Sequence, residues 1–367
     1  MRGGVGSAMF PILALGIVLG EPGMGSRVAV ARMESSGSWM RLFGTDPVVP
    51  RLLAWPVHAN VPSMPMFQAR AAGPDDFPAI LEFLPPGQYG CPPAKALADW
   101  KRWHQQGALN VGVIEAIDGT RRRSIAGAGV TLWVSDEAAE GLEASRDEAC
   151  SVALYRAGEE GGWPLKGHQI EAAHAQCRLN LWIVHFWPDP DPSNPSFAAF
   201  FEQSDKLFRE QHDGFGVGQL LQEVLQEHVP LMQSAGMRIK RPAVSDAGRV
   251  LVSLTRDDAR TRPGSHMSFL FLKPPATLQL KPAEKRMLSF ALQELTDADI
   301  AERMECSREY VRKLWARVYD TLHAKAALVH DPVQKSDVSH RGREKRRRAL
   351  EFFRAHREEL RPGLPPT

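Results

Sequence analysis

The sequence predicts an α+β chain: a mixed α/β region over residues 66–276, then an all-α unit over 277–330. Three observations carry that expectation. Short apolar runs suited to buried strands alternate with amphipathic stretches from Phe67 to Leu254. Beyond Pro275 the alternation stops, and apolar residues recur only at three and four, the helical period. Charge divides at the same place. From Lys281 to the end there are 19 Lys and Arg against 14 Asp and Glu, so totals of 45 and 43 leave 26 against 29 for residues 1–280. A chain of 367 residues with 43% hydrophobic content has room for two or three domains.

Residues 1–65 read as an N-terminal extension and are expected to be disordered, being rich in Pro and isolated Trp over 31–65 with no period. The apolar run from Met9 to Leu19 imitates a signal peptide but is too short to span a membrane. Gly20-Glu-Pro-Gly-Met-Gly-Ser26 imitates a phosphate loop but lacks the Lys that reaches the phosphates. Cys91, Cys150, Cys177 and Cys306 show no paired spacing, which argues against a disulfide framework or a zinc ribbon and makes a reducing cytoplasm the expected location. His168, His174 and Cys177 are near one another, yet no second pair completes a ligand set, so no metal is expected.

In the α/β region, Phe67-Gln-Ala-Arg is a short strand. Gly73–Leu84 opens a helix with acidic residues at its positive end, and Lys95–Gln106 is a second helix. Asn110–Ile117 and Ile125–Val134 are strands joined through Asp118-Gly119, a hairpin signal with a longer connection than a tight turn. Leu179–Phe186 is apolar enough for a central strand, Phe197–Gln211 is helical, Leu220–His228 reads as an amphipathic helix after Gly214-Phe-Gly-Val-Gly, and Val250–Leu254 is a late strand.

This order resembles that of the GNAT acetyltransferases, and Gln211-His-Asp-Gly-Phe-Gly216 matches the letters of that family's Gln/Arg-x-x-Gly-x-Gly/Ala loop. The resemblance implies a loop that offers backbone amides to the pyrophosphate of acetyl-CoA, with Gln211, Gly214 and Gly216 as cofactor-binding residues, and an acyl-CoA-dependent N-acetyltransferase activity. In the family the loop follows its strand almost directly. Here Pro188–Pro195 and the helix 197–211 intervene. Glu115, His185 and Tyr155 have side chains able to serve as a general base, and no catalytic residue is assigned.

The all-α unit begins with a helix that has Pro282 at its first position, Glu284 at its positive end and Lys281 as a poor cap. Thr296 with Asp299 three residues on forms a weakened capping box, so a short helix starts at about Asp297 and buries Ile300, Ala301 and Met304. Ser307 caps the next helix, which runs to about Leu322 with Val311, Leu314, Trp315, Val318 and Leu322 inward. Arg308, Glu309, Arg312, Lys313 and Arg317 are left outside, on a stripe suited to a major groove. Thr296 and Ser307 add hydroxyls for phosphate.

These residues resemble the LuxR-type helix-turn-helix, with matches at Leu280, Pro282, Glu284, Leu288, Thr296, Ile300, Ala301, Ser307, Val311, Val318 and Leu322. The departures are Lys281, Glu305 in place of the turn Gly, Cys306 and Tyr310. The resemblance implies a transcription regulator. The expected partner is double-stranded DNA, bound as a homodimer, with the α/β region sensing a small-molecule effector or dimerising. The alternative is a GNAT-like enzyme with an accessory helix-turn-helix. Residues 331–367 form a basic helical tail, Arg341-Gly-Arg-Glu-Lys-Arg-Arg-Arg leading into Leu350, Phe353 and Leu360, able to add phosphate contacts.

Overall fold

The computed structural model describes residues 65–84, 91–145, 149–157, 162–188, 194–243, 248–272, 276–326 and 341–362. The readings of the extension 1–65 up to residue 64, the signal-like run, the phosphate-loop imitation and residues 331–340 of the tail lie outside them.

The α/β unit opens with strand β1 (Met66–Ala71), helices α1 (Phe77–Phe83) and α2 (Pro93–Gln105), and strands β2 (Leu109–Ile117) and β3 (Arg123–Val134). Helices α3 (Asp136–Ala144), α4 (Cys150–Ala157) and α5 (Gly167–Ala175) follow. Then come β4 (Leu179–Pro188), α6 (Phe197–His212), β5 (Val217–Leu225), α7 (Val229–Ser234), β6 (Arg238–Arg241), β7 (Arg249–Thr255) and α8 (Arg256–Thr261). The seven strands form one sheet in the order β1-β2-β3-β4-β5-β7-β6, antiparallel except for the parallel pair β4–β5.

Local chemistry explains several of these elements. The β2–β3 hairpin turns where Asp118 Oδ1 accepts from the backbone N–H of Thr120 and of Arg122, with Arg121 at φ 64°. Gly112 and Gly127 let α6 lie close on the sheet, because a Cβ there would meet Leu207 Cδ2 at 2.6 Å and the Phe200 ring at 2.5 Å. Phe77 packs edge-on against both Trp100 and His104, which ties α1 to α2.

One expectation fails outright: residues 220–225 are a strand, not a helix. Leu220, Leu221, Gln222, Glu223 and Val224 are all buried, so no polar face is left for the amphipathic helix that their spacing imitates. Placement between β4 and β7 overrides the local pattern.

The helical unit comprises α9 (Pro282–Ala291), α10 (Asp297–Arg303), α11 (Arg308–Ala326) and α12 (Arg341–Ala355), closed by a 3-10 turn at Arg357–Leu360. It has its own core, separate from that of the sheet, in which Met287, Leu288, Phe290, Ile300, Val311, Leu314 and Val318 meet Ala349, Phe353 and Leu360. The tail is therefore a structural member of this unit rather than an appendage. Among the described residues no helix is long and apolar enough to cross a membrane.

Candidate functional site

Helices α9 to α11 present the stripe that the sequence singled out. Glu284 Oε2 accepts from the Lys281 N–H at 2.9 Å, which compensates for the poor cap of α9. Thr296 and Asp299 form the full reciprocal box: Thr296 Oγ1 accepts from Asp299 N–H at 3.3 Å, and Asp299 Oδ2 accepts from Thr296 N–H at 3.0 Å. The Thr296 hydroxyl, which also donates to Asp299 Oδ2 at 2.7 Å, and the Thr296 N–H hold the Asp299 carboxyl below the usual range. Ser307 Oγ accepts from Tyr310 N–H at 3.1 Å and so starts α11. Glu305, in the position of the family's Gly, takes φ 53°, so the turn keeps its left-handed backbone without a glycine.

Thr296, Ser307, Arg308, Glu309, Arg312, Lys313 and Arg317 are all exposed. Arg312 pairs with Glu309 at 3.3 Å on that surface, and Arg308, Lys313 and Arg317 make no ion pair among the described residues. Val311, Leu314, Trp315 and Val318 are buried, as their spacing requires. The basic residues of α12 have divided duties. Arg346 donates to Asp297 Oδ1 at 2.6 Å and to Leu295 O at 3.1 Å, and lies 4.9 Å from the centre of the Trp315 ring. Arg347 and Arg348 pair with Glu344 on the exposed face.

The Gln211–Gly216 loop requires correction. It follows α6 and leads into strand β5, so no helix start lies beyond it to supply free amides. Its groups are taken by the chain itself. Gln211 Nε2 donates to Val111 O at 3.0 Å, and Gly216 N–H donates to His174 Nδ1 at 3.0 Å. Gly214, at φ 79°, lies beneath the C-terminal turn: a Cβ there would stand 2.6 Å from Glu358 N. Arg361 completes the contact by donating to Glu210 O (2.7 Å), Gln211 O (3.0 Å) and Asp213 O (3.2 Å) while stacking 4.4 Å from the Phe215 ring centre. A cation on the last carbonyls of α6 also meets the negative end of that helix. Burial, reinforced by Arg357, brings the Arg361 pKa down to about 9, still cationic at neutral pH. Gly214 and the Gln211 carbonyl thus form a socket for the helical unit while Gly216 packs on α5, an arrangement that does not fit acetyl-CoA.

A second cluster lies where the parallel strands part. The β4–β5 pairing ends at Ile183 opposite Gln222, while β4 continues to Pro188 and β5 to Leu225. Helix α4 touches both strands there. Cys150 N–H donates to both Glu223 carboxylate oxygens at 3.2 Å, and Tyr155 stacks on His185 with ring centres 6.5 Å apart. Glu223 also accepts from Arg241 at 2.9 Å and is joined by Arg249 at 3.5 Å. Arg241 donates further to Leu142 O and Ser145 O. Burial pushes the Cys150 thiol well above its ordinary pKa, so it is not a thiolate nucleophile.

The structure thus brings two of the three side chains considered as bases together. His185 has its pKa depressed to about 3 by burial, and Tyr155 accepts from Trp100 Nε1 at 2.7 Å. Glu115 stands apart on β2, bridged by Arg70 and Arg123. Glu223 is not legible in the sequence because the spacing of Leu220–His228 imitates a helix. A strand assignment would have flagged a carboxylate amid apolar neighbours. The remaining amide at the split, Gln222, is buried with neither Nε2 nor Oε1 hydrogen-bonded among the described residues. His174 is committed to Gly216, and no group of three His, Cys, Asp or Glu among the described residues could hold a metal ion.

No family's sequence pattern matches the chain, and no curated protein matches it. Solved structures resemble its middle region. FeeM, an N-acyl amino acid synthase from uncultured soil microbes, is 13% identical over 54% of this chain and 94% of its own, with a TM-score of 0.31. The aminoglycoside acetyltransferase AAC(6')-Ib, in complex with coenzyme A, is 12% identical over 53% of this chain and 99% of its own, with a TM-score of 0.30. FdhC, a nucleotide-linked sugar GNAT, is 10% identical over 58% of this chain and 99% of its own, again with a TM-score of 0.30.

Proposed function

We propose that the chain is a DNA-binding transcription regulator. Helix α11 enters the major groove with Arg308, Glu309, Arg312, Lys313 and Arg317, and Thr296 and Ser307 meet flanking phosphates. The single observation that carries this reading is the exposed cationic stripe of α11, braced from behind by a core of its own, with no ion pair at Arg308, Lys313 or Arg317 among the described residues. The α/β unit supplies effector sensing or dimerisation, and a homodimer joins two recognition helices because one reads only a few base pairs. Arginines on such a stripe pair bidentately with guanine, while Lys313 neutralises phosphate. The test is fluorescence anisotropy on genomic fragments at fixed salt. Wild-type protein should raise the anisotropy of labelled duplex, and Arg312→Ala with Lys313→Ala should lose at least tenfold in affinity. Equal binding by the two proteins, or none by either, would remove the proposal.

A second reading, an acyl-CoA-dependent N-acetyltransferase, draws on a different observation: the sheet has one parallel pair that parts after Ile183 and Gln222, leaving the unpartnered Gln222 amide at the split. Open α/β sheets bind ligands at such points. The helix following β4 is α6, so a pyrophosphate would belong at the amino end of α6, Ser196–Phe197, and not at Gln211–Gly216. Protection of the α/β unit by acetyl-CoA in thermal unfolding is the result this reading expects, and an unchanged Tm at millimolar acetyl-CoA dismisses it.

A further inference from the structure

Resting on the DNA-binding reading, we infer that α12 is a second, sequence-independent contact for the same duplex: Lys345 and Arg347 reach phosphates flanking the segment read by α11. The inference starts from Arg346. Its guanidinium is bound to Asp297, the first residue of α10, and to Leu295 O, and it lies over Trp315 of α11. One side chain therefore pins the basic turn of α12 beside the exposed Thr296 end of α10, already proposed to meet phosphate, and against Trp315 on the buried side of α11.

Successive residues of a helix point about 100° apart. With Arg346 directed at Asp297 and Trp315, Lys345 and Arg347 project to either flank of that contact, and both are exposed. Lys345 makes no ion pair among the described residues. Arg347 pairs with Glu344 at 2.7 Å and with Glu351, on side chains that are themselves exposed. Exposed pairs of this kind are weak and readily replaced by a stronger anion such as a phosphate diester. Neither Lys345 nor Arg347 packs into the core that Ala349, Phe353 and Leu360 build, so both are surface charges on a fixed rod, Arg347 sharing Glu344 and Glu351 until a phosphate displaces them. Fixed position distinguishes this arrangement from a mobile basic tail, which would give salt dependence without dependence on Arg346.

The experiment measures the affinity of the full-length protein for a 30-base-pair duplex across a salt series and takes the slope of log K against log salt. Each lost phosphate contact lowers the magnitude of that slope by about 0.9. Lys345→Ala with Arg347→Ala is expected to lower it by about one to two and to weaken all sequences by the same factor. Arg346→Ala, which removes the pin and leaves both flanking cations in place, is expected to give a similar loss. Arg178→Ala with Arg260→Ala, which removes two exposed cations of the α/β unit, should leave the slope unchanged. Circular dichroism melts confirm that each variant folds. A slope within 0.3 of wild type in the Lys345/Arg347 variant, while Arg312→Ala with Lys313→Ala still loses at least tenfold in affinity, overturns the role of α12 and leaves the DNA reading standing. Loss in that variant with none in Arg346→Ala overturns the fixed placement. Absence of duplex binding by the wild type removes both.

Discussion

Substituting Gly214 by Ala separates a docking socket from a phosphate loop. Gly214 adopts φ 79°, a region where an L side chain costs about 1–2 kcal/mol. The added methyl would stand 2.6 Å from Glu358 N and 2.8 Å from Glu358 Cα, backbone atoms that cannot rotate aside. Overpacking of this kind costs roughly 1–3 kcal/mol, so the expected total is about 2–5 kcal/mol, capped by whatever undocking the C-terminal turn costs. At about 2–4 °C per kcal/mol for a unit of this size, Tm should fall by at least about 4 °C. The local signature is sharper. Glu359, adjacent to Glu358, accepts from Thr277 N–H at 2.7 Å and Leu278 N–H at 2.8 Å, so hydrogen exchange at those two amides should accelerate. Combined with Arg361→Ala, the losses should be less than additive, because the two changes break the same contact. An unchanged Tm and unchanged exchange, together with loss of protection by acetyl-CoA, would refute the socket and restore the loop to phosphate binding.

The remaining predictions concern other parts of the chain. Glu305→Gly should raise Tm by roughly 2–4 °C, since about 1 kcal/mol is released when a residue at φ 53° loses its Cβ; no gain in a thermal melt means the turn is not strained. Glu223→Gln should cost about 3–5 kcal/mol in urea unfolding by stranding the buried Arg241, and adding Arg241→Met should recover part of that loss; strict additivity of the two changes would argue that they are not a coupled pair. Burial depresses the pKa of His185 and of His212 to about 3, against about 6.5 unfolded, so below pH 6.5 the unfolded chain binds two more protons. Stability is then fully present above pH 6.5 and is lost as pH falls toward 3, by up to about 3 kcal/mol per unit; urea midpoints at pH 7.5, 6 and 5 check the slope, and His212→Gln should halve it.

Much of this architecture was legible because it rests on local chemistry. Caps at Thr296 and Ser307, Pro282 at a helix start and the three-four spacing of Val311, Leu314, Trp315 and Val318 each report on a few neighbouring residues, and the structure places every one as expected. The hairpin at Asp118 is of the same kind. The failures share a different cause. Leu220–Leu225 is a strand because of its two neighbours in the sheet, and the Gly214 loop has its function set by Glu358 and Arg361, more than a hundred residues away. Glycine in a sequence signals close approach of backbone but does not name what approaches. Here it is the chain's own C-terminus rather than a pyrophosphate.

That long-range contact bears on how the two units communicate. A sensory α/β unit alters DNA binding only if some contact between the units differs in free energy between its states. The described contact of that kind is the socket, where Phe215 packs against Trp133 of β3 at 4.8 Å and against the Arg361 guanidinium at 4.4 Å. Arg361 follows Leu360, which is buried in the helical core, and Glu359, which ties Thr277 and Leu278 to that core. A change at β3 or at the end of α6 would therefore reach the start and the finish of the helical unit together. The contact at Gly214 can be docked or released, two states of the kind on which such coupling depends. Released, the C-terminal turn would also loosen α12 and with it the Arg346 pin, so the phosphate contacts proposed for Lys345 and Arg347 would weaken before those proposed for the α11 stripe, which remains on α9 and α10.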